Sequence, residues 1–113
     1  MHYCNTKKWL FRIRDAKHRV EMLERRISLG GSDGLQKQLA EAEQELKDVT
    51  SEVMDKISLL PDVNRQMVMA KRYVDLLPWE AIASDMSMSV RTVQKIHGRA
   101  LPLMEEISKE AAE

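Results

Sequence analysis

Apolar residues recur through the first half of the chain at spacings of four and three. Trp9, Ile13, Ala16, Val20, Leu23 and Ile27 form one series; Leu35, Leu39, Ala42, Leu46, Val49 and Val53 form a second. A 4-3-4-3-4 spacing keeps these residues on one side of an α-helix. Each series therefore predicts a helix with a heptad-type seam, roughly 30 Å long at 1.5 Å per residue. Between them lies Leu29-Gly30-Gly31-Ser32-Asp33-Gly34, the sole glycine cluster in the sequence. Asp33 followed by Gln36 reads as a helix N-cap with its capping-box partner. Two seams of equal length across a short Gly-rich loop predict an antiparallel helical hairpin over residues 1–60. The pattern also permits one long helix broken at Gly30-Gly31, with each half pairing to another chain.

Pro61-Asp62 opens a different regime, taken as a second domain over residues 61–113. Val63, Met67, Ala70, Tyr73 and Val74 mark a short amphipathic helix. Pro78 suits the first turn of the next helix, Pro78 to Met86, with Glu80 near its positive end. Ser89 is a good N-cap for a further helix through Val93, Ile96, Ala100 and Leu101. Pro102 is expected to limit or kink that helix, leaving Leu103–Glu113 as an acidic helical turn or frayed end. No strand pattern interrupts this series. The expected fold is all-α.

Composition agrees with that class. Only 4% of the 113 residues are aromatic, whereas Met occurs eight times. Sandwiches and barrels lean on aromatic and β-branched strands, so they are disfavoured. A hydrophobic fraction of 43% with 32% charged residues is too apolar for a disordered chain. No apolar run approaches the roughly 18 residues that span a bilayer, and residues 1–5 lack a signal-peptide pattern. Cys4 is the single cysteine and cannot form an intrachain disulfide. A cytoplasmic protein without membrane contact is expected.

The net charge is zero, but it is unevenly spread. Residues 1–29 hold 8 Lys/Arg against 3 Asp/Glu, residues 30–61 hold 3 against 7, and residues 62–113 hold 7 against 8. The two seam helices are thus basic and acidic, and their flanks attract. Within the last block, residues 86–101 carry Arg91, Lys95 and Arg99 with no acidic residue. Phosphate attraction acts over about a Debye length rather than over a whole chain, so this local balance matters more than the total.

Residues 79–96, from Trp79 through Ile96, have the layout of a helix-turn-helix. Such a unit needs a small residue where two helices cross, which Ala83 supplies. It needs buried aliphatics at fixed offsets, met by Ile82, Met86, Met88, Val93 and Ile96, and a short turn with a capped second helix, met by Ser87–Ser89. The remaining face of the second helix (Val90, Arg91, Gln94, Lys95 and Gly98) is free to lie in a major groove. Arg pairs bidentately with guanine and Gln with adenine, while Lys and Arg serve phosphates equally well.

The run from Lys71-Arg72-Tyr73 to Leu101, KRYVDLLPWEAIASDMSMSVRTVQKIHGRAL, resembles region 4 of bacterial sigma-70-type factors. More closely, it is similar to small phage-encoded proteins of the ArpU/RinA-like late-gene regulator group and to an associated family of undefined function. The resemblance covers about thirty residues, or forty with the preceding helix; the hairpin is alike in architecture more than in motif. It implies a transcription regulator that binds promoter-like DNA. One departure is Ser87, where the family pattern usually has glycine. A left-handed backbone there would cost on the order of 1 kcal/mol.

The expectation is therefore a non-enzymatic, sequence-specific double-stranded DNA-binding regulator of phage or prophage origin. Arg91, Gln94 and Lys95 would read bases with minor help from Thr92, and Arg99, Arg72 and Lys71 would hold phosphates. Alternatives are a sigma-like module that grips RNA polymerase or a sigma factor, and a DNA-packaging, small-terminase-like subunit. Leu10, Phe11, Met22 and Met54 lie off the seams, so a two-helix hairpin leaves apolar surface that needs a partner chain or the C-terminal domain. A homodimer through the hairpin is expected, with self-packing in a monomer as the other possibility. The basic run of Lys7, Lys8, Arg12, Arg14, Lys17, Arg19, Arg25 and Arg26 reads as a solvated face ion-paired to the second helix. No cofactor or metal is expected: His2, His18, His97 and Cys4 stand in no ligand spacing. His97 reads as a surface residue and Trp79 as a packing residue where its helix begins.

Overall fold

A computed structural model describes the backbone of residues 8–30 and 33–112, and the side chains of residues 8–30 and 34–108. His2, Cys4 and the capping role of Asp33 lie outside those described residues. The regular elements are α1 (Arg12–Ser28), α2 (Asp33–Ile57), α3 (Val63–Tyr73), α4 (Trp79–Met86) and α5 (Val90–Ala112), and a helical turn at residues 8–10 leads into α1. Among the described residues there is no strand. The protein is all-helical.

α1 and α2 pack along the two heptad seams. Ile13, Ala16, Val20 and Leu23 are buried from α1, and Ala42, Val49 and Val53 from α2. Trp9, Ile27, Leu35, Leu39 and Leu46 are half-buried at the edges. The helices run in opposite directions, because Arg12 pairs with Glu52 at 3.1 Å while Arg19, two turns on, pairs with Glu45 at 3.0 Å. Both pairs are exposed, so each contributes at most about 1 kcal/mol and serves register more than stability. The seam of α2 continues at the same spacing through Ile57 and Leu60, both buried.

That continuation leads into the main core. Leu10, Ile13, Val49, Val53, Ile57, Leu60, Met69, Tyr73, Ala100, Leu101 and Met104 form one buried cluster. It draws on both ends of the chain and crosses the boundary expected at residue 60. Two smaller cores flank it. Val20, Leu23 and Ala42 fill the far end of the α1–α2 pair, and Val68, Ile82, Ala83 and Val93 fill the space between α3, α4 and α5.

The off-seam residues, α3, Pro78 and Pro102 each narrow or correct an expectation. Leu10 is fully buried and Phe11 is half-buried with its ring 5.7 Å from that of Tyr73, so both dock on the C-terminal helices. Only Met22 and Met54 of the four off-seam residues stay exposed. On α3, Tyr73 of the expected stripe is buried and Ala70 and Val74 pack on the core, but Val63 and Met67 are exposed and Val68 and Met69 are buried instead. The helix lies between two cores: Val68 serves one, and Met69 and Tyr73 serve the other. Pro78 is extended (φ −70°, ψ 159°) and caps α4 rather than starting it. Finally, Pro102 lies inside α5, which continues to Ala112. Met104 is buried beyond it, and Leu103 and Ile107 pack on the same core, so burial outweighs the missing amide bond.

Removing Leu10 should therefore loosen the join between the two halves of the chain. Leu10→Ala is expected to cost about 2–5 kcal/mol. Met22→Ala, at a site 60% exposed, should stay within about 0.5 kcal/mol of the parent. Chemical denaturation of the two variants separates the cases, and equal stability would mean that Leu10 is not in the core.

Candidate functional site

The site is built on α4, the turn after it and α5. α4 begins where the Pro78 carbonyl accepts from the amides of Ala81 and Ile82 at 3.1 and 3.2 Å, and Glu80 sits in the positive first turn. It ends at Ser87, which adopts a left-handed backbone (φ 54°, ψ 45°). The Ser87 amide donates to the Ser84 carbonyl at 3.3 Å, and the Met88 amide donates to the Ala83 carbonyl at 2.9 Å. This pair of bonds is a Schellman closure with serine at the position that favours glycine. One residue later Ser89 caps α5: its Oγ accepts the Thr92 amide at 3.1 Å and lies 2.9 Å from the Thr92 hydroxyl.

Val93 of α5 is packed into the same core as Ile82 and Ala83 of α4, with Trp79, Met86, Met88, Val90 and Ile96 around them. Burial of that face turns the other outward. Arg91, Gln94, Lys95, Gly98 and Arg99 are all exposed, as is Thr92 with its hydroxyl at the cap. Arg91, Lys95 and Arg99 follow one another at four-residue steps, a strip of about 12 Å along the helix. Among the described residues none forms an ion pair with these three. Arg12, Arg19, Lys56, Arg65 and Lys71 have carboxylate partners within 4 Å. Lys17, Arg25, Arg26, Lys37 and Lys47 are exposed and, like the three on α5, have none among the described residues. What sets the α5 three apart is their regular spacing on one side of a helix fixed by burial. The strip thus presents two guanidinium forks, an ammonium and an amide to solvent, a set that suits anionic and hydrogen-bonding partners.

Lys71 and Arg72 are not part of this strip. Lys71 Nζ lies 3.5 Å from Asp85 at the end of α4. The Arg72 guanidinium rests 4.1 Å over the Trp79 ring and donates to the Leu77 carbonyl at 3.1 Å. Both tie α3 to α4, across a connection in which Leu76 is left-handed (φ 58°).

His97 is not a surface residue. It is 9% exposed on the inner side of α5, and its Nε2 lies 2.6 Å from the Tyr73 hydroxyl. The Trp79 ring stands edge-on to it at 4.9 Å, and the Tyr73 ring stacks at 5.6 Å. Burial pushes the Tyr73 phenol above its ordinary range, and the Arg72 guanidinium pulls part of the way back. The phenol is therefore neutral at physiological pH. Arg72, Trp79, His97 and Tyr73 form a connected set that locks α5 to α3 and α4. Sequence reasoning did not find this set, although a helical wheel offers one signal. His97 falls four residues after Val93 and three before Ala100, on the buried side.

No group of three or more His, Cys, Asp or Glu residues among the described residues could hold a metal ion. Nor is any helix among them long and apolar enough to cross a membrane.

The strain at Ser87 has a measurable consequence. Ser87→Gly removes the side chain that disfavours a left-handed backbone, at some cost in unfolded-state entropy. A net gain of about 0.5–1 kcal/mol is expected, read as a higher midpoint in thermal unfolding. An unchanged or lower midpoint would show that the turn carries no such strain.

Protein-family models, curated proteins and solved structures were all compared with the chain, and none matches it.

Proposed function

We propose that the chain is a non-enzymatic, sequence-specific binder of double-stranded DNA that regulates transcription in a phage or prophage, with α4 and α5 as a helix-turn-helix and α5 as its reading helix. One observation carries the proposal. Arg91, Lys95 and Arg99 stand unpaired on the exposed side of a helix whose other side is fixed by burial. Their span of about 12 Å is comparable with the width of a major groove. Arg91, Gln94 and Lys95 read base edges, and Arg99, further along, holds a phosphate. Thr92 contributes less, since its hydroxyl is shared with Ser89. Lys71 and Arg72 would reach phosphate only by giving up Asp85 and Trp79, so Arg99 takes the greater share. The likeness of residues 71–101 to sigma region 4 and to the ArpU/RinA-like regulators favours this reading. It favours it over a packaging subunit, whereas a sigma-like module that binds RNA polymerase would share the likeness and is separated by the duplex titration.

The test is a salt titration on a duplex selected by the protein from a randomised pool, beside a scrambled duplex. Arg91→Ala and Gln94→Ala should each cost about 1–3 kcal/mol on the selected duplex only. Arg99→Ala should weaken both and lower the slope of log affinity against log salt by about 1. Equal losses on both duplexes for Arg91→Ala and Gln94→Ala would exclude base reading. A parent protein that binds no duplex at low salt would leave the polymerase-binding reading in its place.

A second copy of the chain joined through the hairpin is part of the proposal, because Met22 and Met54 remain exposed on α1 and α2. Two reading helices would then meet one operator. Light scattering at micromolar concentration should give twice the chain mass; a monomer at every concentration would remove the dimer.

A further inference from the structure

Gly98 stands inside α5, where a glycine destabilises a helix relative to alanine. Such a residue usually answers a need within the chain, and here neither a positive φ nor a crowded Cβ position supplies one, although its carbonyl is the one left without an amide donor by Pro102. Its φ is not positive: Gly30 is the one described glycine with that geometry. A Cβ built on Gly98 meets nothing within 4 Å, with the side chain of Pro102, one turn on, counted among the atoms it could have met. Neither a close helix crossing nor the proline ring requires the missing side chain. The position is exposed, on the side of α5 that carries Arg91, Lys95 and Arg99, in a stretch from residue 86 to 101 without a carboxylate.

We infer that Gly98 is a close-approach point at which bare helix backbone lies against the sugar–phosphate strand of a bound duplex. The inference rests on the DNA-binding reading and adds a contact that no charge or hydrogen-bonding group marks. The start of a reading helix faces base edges, and its later turns pass the backbone as it leaves the groove. Gly98 lies about two turns into α5, beside Arg99. Absence of a side chain there lets the helix axis come nearer the strand. That in turn lets Arg99 beside it reach a phosphate.

The experiment compares the parent with Gly98→Ala and Gly98→Leu for thermal unfolding and for binding to the selected and scrambled duplexes across a salt series. The added Cβ sits in open space in the free protein, so Gly98→Ala should raise the unfolding midpoint by about 4 °C. Affinity should fall on the order of tenfold for alanine and further for leucine. It should fall alike on both duplexes, since a sugar–phosphate strand carries no sequence. The salt slope should fall as well, most for leucine, because a helix held off the strand leaves Arg99 further from its phosphate. A better-folded variant that binds worse is the signature of the contact. Unchanged affinity in both variants would overturn the inference while leaving DNA binding intact. A lower unfolding midpoint for Gly98→Ala would overturn it too, by showing that the fold itself needs the glycine. A loss confined to the selected duplex would put Gly98 against a base edge and overturn the backbone assignment. If the parent bound no duplex at all, the DNA-binding reading and this inference would fall together.

Discussion

The molecule turns on α5 serving two cores at once. Its first half is packed with α4 through Val93 and Ile96, and its second half joins the base of the α1–α2 pair through Ala100, Leu101 and Met104. Because a helix is stiff over this length, the orientation of its outer side follows from both cores together. His97 sits at the handover, bonded to Tyr73 of α3 and flanked by Trp79 of α4. Arg91, Lys95 and Arg99 are therefore displayed in fixed relation to the hairpin rather than on a loosely tethered module.

Lys71 and Arg72 illustrate how cations of one protein divide by circumstance. Both are half-buried and have partners in their own chain, one with Asp85 and one with the Trp79 ring. Their positive charge is used to fasten α3 to α4. The α5 cations have no such partner among the described residues, so their charge is directed outward. Exposure alone does not make the distinction. Arg12 and Arg19 are exposed as well, yet each is matched by a carboxylate across the hairpin.

Legibility in the sequence followed the regularity of each signal. The seams of α1 and α2 were plain because a single apolar side repeats every three or four residues, and Ser89 was plain because capping is a local matter. Ser87 was marked as the strained position of the turn by the resemblance, whose pattern usually has glycine there. α3 was misread because it has two buried sides, and Arg65 and Arg72 lie within its inner arc, where polar residues hide the apolar one. Of the two readings of Pro102, a limit or a kink, the limit is excluded, because a tertiary core can hold a helix through a proline. Of the candidate interface, the outward strip on α5 was visible from the wheel. The Tyr73–His97 bond was not, since two polar residues 24 apart carry no periodic sign of meeting.

The central cluster also bears on how the chain reaches this structure. The α1–α2 pair and the α4–α5 pair are each joined by only a few residues, so their ordering closes small loops. The cluster that contains both Leu10 and Met104 is different, because it draws together residues from nearly opposite ends of the sequence. Loop-closure entropy grows only slowly with length but must be met before any such contact forms. Low contact order in the two pairs favours their early formation, and docking of the N-terminal turn onto α5 is the long-range step that completes the fold. The Tyr73–His97 bond, between residues only 24 apart, closes within the C-terminal half and does not depend on that step.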